Sequence, residues 1–277
     1  MNKLYEKYIK KESLPTLFCP GCGNGIIQRA AIEAIDNLGC RKETACVSGI
    51  GCSSWIPCYL QMDAIHTMHG RALPFAEGLK LSQPDKKILV FTGDGDCMAI
   101  GGNHLLHAAA RNIDLTVVMV NNNIYGMTGG QKSPTTPLEA KTKTSPFGCI
   151  DMPMDACALV MTLGASYVAR WTTAHPVQLA KAIAEGLLHK GFAFIDVLSQ
   201  CPVQAGKSIW GEKDPAKIMK MYKEHTYMVK EGEFDPAAAD RAGDKKGKIP
   251  IGLFRNDPDA PEYLEKVKAK LSQCGIK

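Results

Sequence analysis

The chain has 277 residues, which is long enough for one large domain with a sizeable hydrophobic core. Its 45% of apolar residues and 7% of aromatic residues are typical of a globular protein and exclude a fibrous or disordered class. The formal net charge is only +5, and basic and acidic residues are interspersed, which argues against nucleic acid as a partner.

No segment combines the length and the composition of a membrane span or a secretion signal. The strongest apolar run, from Ile113 to Val120, is too short to cross a membrane and contains Asp114. The first residues, MNKLYEKYIKKESLP, are charged and lack the apolar region of a signal peptide. We therefore expect a cytoplasmic protein with no membrane contact.

Helical and strand-like patterns alternate along the chain as far as residue 198. Apolar residues recur at helical spacing from Ile27 to Leu38, and Gly39 follows as a stop. The later predicted elements are strands at 44–48, 87–92, 115–120, 166–169 and 193–198 and helices at 74–81, 99–111, 155–163 and 176–189. Short apolar strands that alternate with helices predict an α/β fold with a doubly wound, mostly parallel sheet.

Two regions lack such periodicity. Residues 123–150 are rich in Gly, Thr, Pro and Ser, and they are predicted to form a long ordered loop of the kind that is usually functional. Residues 202–277 are interpreted as an extended C-terminal arm with short helices. The sequence therefore predicts one domain over residues 1–201 and an arm beyond it.

Polar and glycine residues follow two of the predicted strands. The segment Gly93-Asp94-Gly95-Asp96 follows one strand, and Asn122-Asn123-Ile124-Tyr125-Gly126 follows the next. In open parallel sheets ligands bind beyond the carboxyl ends of the strands. Glycines let the backbone approach a phosphate, and a carboxylate, an amide oxygen and a backbone carbonyl suit Mg²⁺. A lone GDG is a common turn, but together with the double Asn it predicts a diphosphate and Mg²⁺ site.

Nucleotide-binding alternatives are weaker, because the chain lacks the GxxxxGKS/T and GxGxxG fingerprints. The residues Ile50, Gly51, Cys52 and Ser53 are predicted to touch the same ligand, since Cys52 and Asp94 follow strands that end at the same edge.

Four of the eleven cysteines lie in predicted loops, where their thiols could ligate a metal. Cys19 and Cys22 form a C-x-x-C loop, which alone is ambiguous between a redox dithiol, zinc and iron–sulfur. Cys52 and Cys201 each follow a strand, and four converging thiolates would suit a 4Fe–4S cluster. Cys46 and Cys58 are rival third ligands, although Cys46 is expected to be buried in a strand. The others, Cys40, Cys97, Cys149, Cys157 and Cys274, are predicted to be small buried hydrophobic residues.

Longer motifs resemble a known family. GDGDCMAIGG followed by VNNNIYGMTGGQ resembles the diphosphate-binding motif of thiamine-diphosphate enzymes. With CPGCG, GIGCSS and a late QCP, residues 15–202 resemble the beta subunit of 2-oxoacid:ferredoxin oxidoreductases. The resemblance implies Mg²⁺ ligands at Asp94, Asn122 and the carbonyl of Ile124, and cofactor contacts at Gly95, Asp96, Gly126, Met127 and His69 of the segment His69-Gly70-Arg71. It also supports Cys19, Cys22, Cys52 and Cys201 as cluster ligands.

The resemblance implies oxidative decarboxylation of a 2-oxoacid to acyl-CoA and CO₂, with electrons passed through the cluster to ferredoxin. It is nearest to the 2-oxoglutarate enzymes, with branched-chain 2-oxoacid (2-oxoisovalerate) and pyruvate enzymes as alternatives. An alpha subunit is expected to carry the pyrimidine module and its activating Glu, with room for further small subunits, so no acid–base residue is assigned here. A non-oxidative thiamine decarboxylase or synthase subunit and a zinc- or cluster-binding scaffold are the alternatives from other classes.

Overall fold

Helices and strands alternate through most of a computed structural model of the chain, which describes residues 3–235 and 248–276. The strands are β1 (Thr44–Ser48), β2 (Asp63–His66), β3 (Lys87–Gly93), β4 (Leu115–Asn121), β5 (Ile124–Tyr125), β6 (Gln131–Lys132), β7 (Tyr167–Thr172), β8 (Phe192–Leu198), β9 (Thr226–Met228) and β10 (Ile249–Asn256). The α-helices are α1 (Lys3–Tyr8), α2 (Asn24–Leu38), α3 (Trp55–Cys58), α4 (Ala72–Ser82), α5 (Gly102–Arg111), α6 (Ala156–Leu163), α7 (Pro176–Leu188), α8 (Pro215–Glu224) and α9 (Tyr263–Gln273). Short helical turns cover Lys11–Ser13, Cys52–Ser54, Gly95–Ile100 and Gly206–Trp210.

Eight strands form one sheet in the order β2-β1-β3-β4-β8-β7-β10-β9. The first six strands in this order run parallel to one another. Strand β10 is antiparallel to β7 and pairs in parallel with β9, and β5 and β6 form a separate hairpin. The predicted α/β class with a mostly parallel, doubly wound sheet is confirmed.

Helices cover both faces of the sheet and bury its central strands. Helices α2 and α7 pack together on one face, and α4, α5 and α6 cover the other. Val118 and Ile195 belong to the first core, whereas their neighbours Val117 and Phe194 belong to the second, because successive strand residues point to opposite faces. Burial on both faces explains why these strands are continuous apolar runs in the sequence.

Local sequence signals set the ends of the helices. Gly39, with a φ of 64°, ends α2 in the left-handed conformation that glycine adopts without strain. The side chain of Asp155 accepts a hydrogen bond from the backbone of Ala158 and begins α6. Pro176 occupies the first turn of α7, where its missing N–H costs no hydrogen bond. None of the helices in the described ranges is both long and apolar enough to span a membrane.

The interpretation of residues 202–277 as an arm of short helices is wrong in one respect. The region contributes β9 and β10 to the main sheet, and Ile251 and Phe254 of β10 are buried in its two cores. The strand was missed because Pro250 and Gly252 interrupt its apolar pattern, and the register shifts between Leu253 and Arg255. Residues 236–247 and 277 of the predicted arm lie outside the described residues, and the division of the chain at residue 201 into a domain and an arm stays a prediction.

Candidate functional site

A cavity of about 250 Å³ opens at the carboxyl edge of the parallel strands. The loops after β1, β3 and β4 form its walls, together with His69 from the loop after β2. The residues that line it are Ile50, Gly51, Cys52, Ser53, His69, Gly93, Asp94, Gly95, Asp96, Val120, Asn122, Ile124, Tyr125, Gly126, Met127 and Thr128. All the residues predicted for Mg²⁺ and cofactor binding are therefore brought together in one place, although their binding roles stay predictions.

Asp94 lies at the floor of this cavity and is only 2% exposed. Its Oδ2 accepts hydrogen bonds from Ser133 Oγ and from Thr135 Oγ1, both at 2.6 Å. Burial raises the pKa of the Asp94 carboxyl to about 6, against the opposing effect of these hydroxyl groups. A buried carboxylate is costly unless a cation or hydrogen bonds compensate it, so the chemistry of this position suits a metal ion.

Three consecutive Asn residues, the last residue of β4 and the two that follow it, direct their side chains to different places. Asn122 lines the cavity that contains Asp94, and its Oδ1 accepts a hydrogen bond from the backbone of Ile124 at 3.3 Å. Asn123 has a φ of 61°, a left-handed conformation that Asn tolerates better than most residues. Its Nδ2 donates to the carbonyl of Thr135 at 2.8 Å, which fixes the turn. Asn121 and Asn123 instead line a second cavity of about 430 Å³.

Asp96 ties two loops of the cavity together. Its Oδ1 accepts hydrogen bonds from the backbone of Ile50 at 3.2 Å and Gly70 at 2.7 Å, and lies 2.8 Å from His69 Nδ1. Its Oδ2 accepts a hydrogen bond from Thr92 Oγ1 at 2.6 Å. These bonds engage both carboxylate oxygens and fix the orientation of the Asp96 side chain, and its contact with the cofactor stays a prediction.

Two glycines at the site have no room for a side chain. A Cβ at Gly95 would lie 2.3 Å from the ring of Tyr125, whose hydroxyl donates to the carbonyl of Gly95 at 3.2 Å. A Cβ at Gly49 would lie 2.1 Å from Asp96 Oδ2. Tyr125, Ser133 and Thr135 were not predicted from the sequence as site residues. A cluster of hydroxyl residues after a glycine-rich loop was the only signal that could have indicated the last two.

The four predicted cluster cysteines gather beside the same cavity. A Cβ at Gly126 would lie 3.4 Å from Cys52 Sγ and 3.8 Å from Cys201 Sγ. Burial raises the pKa of the Cys22 thiol to about 12, and the nearby Cys201, Cys52 and Cys19 add to this effect. The pKa of Cys52 is raised to about 11, mainly by burial and then by Cys201 and Cys19.

A backbone hydrogen bond holds together the loops of cysteines that are far apart in the sequence. The N–H of Gly23 donates to the carbonyl of Gln200 at 3.0 Å, which joins the C-x-x-C loop to the loop of Cys201. A Cβ at Gly23 would lie 2.1 Å from Ser199 Oγ, so this close approach requires glycine. Within the described residues, no group of three or more His, Cys, Asp or Glu side chains could hold a single metal ion. Thiols around an iron–sulfur cluster stand farther apart than ligands of one ion, because the cluster lies between them.

The rival cysteines lie elsewhere. Cys46 is fully buried in β1, as expected, and burial raises its pKa to about 12. Cys58 lies at the end of α3, with its Sγ 3.8 Å from His66 Nδ1. Of the cysteines predicted to be buried, Cys40, Cys97, Cys149 and Cys157 are indeed buried. The prediction for Cys274 is wrong: this residue is exposed, because it follows the last turn of α9 away from the sheet.

Comparisons with known proteins agree with this arrangement. Residues 49–197 match the family model for the thiamine pyrophosphate enzyme C-terminal TPP-binding domain. The chain is 49% identical over 263 residues to a 2-oxoglutarate synthase subunit KorB of Methanocaldococcus jannaschii, with 94% of each chain covered. It is 38% identical over 266 residues to a 2-oxoacid:ferredoxin oxidoreductase subunit beta of a Sulfolobus species, covering 91% of this chain and 85% of that protein.

A solved structure is also similar over nearly the whole chain. The 2-oxoglutarate:ferredoxin oxidoreductase from Magnetococcus marinus, solved with 2-oxoglutarate, coenzyme A and succinyl-CoA bound, aligns with a TM-score of 0.86 at 33% identity. The alignment covers 98% of this chain and 91% of that chain. Together with the cavity built from the predicted motifs, these similarities show that the chain belongs to the beta-subunit family of thiamine-diphosphate-dependent 2-oxoacid:ferredoxin oxidoreductases.

Proposed function

We propose that this chain is the beta subunit of a 2-oxoglutarate:ferredoxin oxidoreductase and holds thiamine diphosphate, Mg²⁺ and a 4Fe–4S cluster. The position of Gly126 is the observation that carries this proposal. A Cβ placed at Gly126 would lie 3.4 Å from Cys52 Sγ, 3.8 Å from Cys201 Sγ and 3.8 Å from Asn122 Nδ2. Two of the predicted cluster thiols and the side chain of Asn122, a proposed Mg²⁺ ligand, therefore share one wall. A non-oxidative thiamine enzyme does not need this arrangement.

Hard oxygen donors support the proposed Mg²⁺ site. The carboxylate of Asp94, the side-chain oxygen of Asn122 and the carbonyl of Ile124 are of the type that Mg²⁺ prefers, and diphosphate oxygens complete its shell. The backbone amides of Gly95 and Asp96 begin a helical segment, whose positive end favours an anion. Mg²⁺ bound at this position would compensate the buried negative charges of Asp94 and of the diphosphate.

The remaining walls suit the rest of the cofactor. Ile50 and Met127 are 36% and 46% exposed, which leaves apolar surface available to an organic ring. Asp96 and the carbonyl of Ile50 orient His69 at the cavity wall. When bound, thiamine diphosphate supplies the nucleophilic carbon and the electron sink that decarboxylation of a 2-oxoacid requires.

Four thiols support the proposed cluster. Cys19, Cys22, Cys52 and Cys201 must lose their protons to ligate iron, and the positive iron ions of a cluster would stabilise the resulting thiolates. Cys52 also lines the cofactor cavity. A cluster held there would lie beside the cofactor and would accept electrons one at a time before ferredoxin does.

The names of the relatives support 2-oxoglutarate as the substrate. Four relatives named 2-oxoglutarate synthase subunit KorB are 46% to 49% identical to this chain. The similar solved structure binds 2-oxoglutarate and coenzyme A, so succinyl-CoA is the proposed product. An alpha subunit that carries the pyrimidine module is the proposed partner.

A substrate panel tests the proposal. The enzyme assembled from this chain and its partner, purified without oxygen, is assayed for coenzyme A-dependent ferredoxin reduction with 2-oxoglutarate, 2-oxoisovalerate and pyruvate. We expect the highest kcat/KM with 2-oxoglutarate. A higher value with either of the other acids would reject the substrate assignment, and no reduction with any of the three would reject the function.

A further inference from the structure

A short segment behind the metal-binding carboxylate, Ser133-Pro134-Thr135-Thr136, has no assigned role. Its first and third residues are 2% and 5% exposed, and both direct their hydroxyl groups at Asp94 Oδ2 from 2.6 Å. We propose that Ser133 and Thr135 are positioning residues that orient Asp94 for Mg²⁺, an inference that rests on the proposed function.

Both hydroxyl groups donate to the same carboxylate oxygen. Hydrogen bonds to an ionised oxygen are stronger than neutral ones, and two of them from different directions prevent rotation of the carboxylate. With Oδ2 of Asp94 engaged in this way, Oδ1 would be the oxygen available to the metal ion. Ser133 and Thr135 therefore determine which oxygen binds and in which direction its lone pairs point.

The hydroxyl group of Thr135 has a second possible hydrogen-bond acceptor besides Asp94. Its Oγ1 lies 2.9 Å from Asn121 Oδ1 as well as 2.6 Å from Asp94 Oδ2. A hydroxyl group has one proton to donate, and an ionised carboxylate attracts it more strongly than an amide oxygen does. The hydrogen bond of Thr135 is therefore directed to Asp94 whenever that residue carries its charge.

The segment is also fastened to the other loop of the metal site. Thr136 Oγ1 donates to the carbonyl of Asn123 at 2.7 Å and accepts from the backbone of Ser133 at 2.9 Å. The Nδ2 of Asn123 donates in turn to the carbonyl of Thr135 at 2.8 Å. Asn123 lies between the proposed ligands Asn122 and Ile124. The segment thus sets the spacing between Asp94 after β3 and the two ligands after β4.

The test uses isosteric removal of one hydroxyl group. Thr135→Val keeps the side-chain volume and removes the donor, whereas Thr135→Ser keeps the donor. Thr142→Val is the matched control, since Thr142 is 6% exposed in the same long loop but bonds to the backbone of Ser145. The measured quantity is the Mg²⁺ concentration that half-saturates thiamine diphosphate binding, determined by calorimetry on the assembled enzyme.

We expect Thr135→Val to raise this Mg²⁺ concentration by about 10-fold to 100-fold, the usual effect of removing a group that orients a metal ligand. The half-saturating Mg²⁺ concentrations of Thr135→Ser and Thr142→Val should stay close to that of the unchanged enzyme. At saturating Mg²⁺ the thiamine diphosphate affinity of Thr135→Val should recover, because the metal site is weakened and not removed. A purely structural role of Thr135 would lower thermal stability without this selective dependence on Mg²⁺.

Companion variants separate this inference from the proposed function. If Thr135→Val does not fold, Ser133→Ala removes the other donor to Asp94 Oδ2 and carries the same expectation. Unchanged Mg²⁺ dependence in the folded variants, beside loss of binding in Asp94→Ala, would overturn the positioning role alone. Unchanged binding in Asp94→Ala would overturn the metal site and the positioning role together.

Discussion

Asp94 shows how a single buried residue makes stability depend on pH. Hydrogen bonds from Ser133 and Thr135 hold its carboxylate, yet burial still raises its pKa to about 6. The folded chain without metal therefore binds this proton more tightly than the unfolded chain does, since an unperturbed Asp has a pKa near 4. Stability must then fall as pH rises from the unfolded pKa to the folded one.

The first prediction follows from this loss of stability with rising pH. Without Mg²⁺ and cofactor, the chain should lose about 2 kcal/mol of unfolding free energy, relative to Asp94→Asn, between pH 4 and pH 6. Urea unfolding of both proteins at several pH values measures the difference. Saturating Mg²⁺ and thiamine diphosphate should abolish the loss, because the cation stabilises the ionised form. A parallel pH dependence in the two proteins would contradict the role of Asp94.

The second prediction compares two cysteines that lie close together in the sequence, Cys46 and Cys52. Cys52 lies at the cavity beside Cys201, whereas Cys46 is fully buried in β1. Anaerobically purified Cys52→Ser should contain less than the roughly four irons per chain of an intact cluster, or should change its electron paramagnetic resonance signal. Cys46→Ser should keep both properties. The reverse pattern would mean that Cys46 is the third ligand.

The three Asn residues at the end of β4 mark a limit of sequence reasoning at this scale. The motif predicted Asn122 as a ligand, and this residue does line the cavity with Asp94. Nothing in the sequence separates Asn122 from Asn121 and Asn123, which line the second cavity, because the direction of each side chain depends on the turn. The hydroxyl donors Ser133 and Thr135 were missed for a similar reason, since only the folded loop brings them to Asp94.

At the scale of elements, burial decides which strands the sequence reveals. Strands β1, β3, β4 and β8 were predicted because both of their faces are buried and their sequences are mostly apolar. Strand β2 was missed, since all four of its residues are exposed at the edge of the sheet. Strand β10 was missed because Pro250 and Gly252 disturb its pattern. Edge strands receive less support from burial, so their sequences are less constrained.

The third prediction compares two helical glycines. Gly186 lets α7 approach the sheet, since a Cβ there would lie 2.9 Å from Thr116 Cγ2 and 3.3 Å from Ala193 Cβ. Gly78 in α4 has no atom within 4 Å of the corresponding position. Gly78→Ala should stabilise the chain by about 0.5–1 kcal/mol, the usual gain in a helix, whereas Gly186→Ala should destabilise it by about 1 kcal/mol or more. Chemical denaturation measures the free energy of unfolding of both variants. An equal gain in stability from the two substitutions would refute the close packing of α7.

At the scale of the whole molecule, the parallel sheet explains why function was easier to predict than the complete fold. The carboxyl ends of parallel strands meet at one edge, so motifs that are far apart in the sequence converge without any knowledge of tertiary contacts. The loops of Cys22 and Cys201 meet there through the hydrogen bond between Gly23 and Gln200. The sequence could not predict the added pair β9 and β10, which lies at the opposite side of the sheet from β2.

The fourth prediction concerns the division of the cofactor between two chains. The proposed diphosphate site of this chain is the cavity at one edge of its sheet, and the proposed pyrimidine module lies on the alpha subunit. Because each module orients one end of the cofactor, neither alone can align the reacting ring with the substrate. The separate chain with thiamine diphosphate, Mg²⁺ and an intact cluster should therefore release no CO₂ from 2-oxoglutarate.

Addition of the alpha subunit should restore CO₂ release and coenzyme A-dependent ferredoxin reduction together, because both need the same aligned cofactor. The control is a complex assembled with Asp94→Ala, which should associate normally and remain inactive, since it lacks a ligand of the proposed metal site. Activity is followed by release of labelled CO₂ and by the absorbance of ferredoxin, and association by size-exclusion chromatography. Substantial turnover by the separate chain would mean that it aligns both ends of the cofactor itself, which would refute the two-chain arrangement.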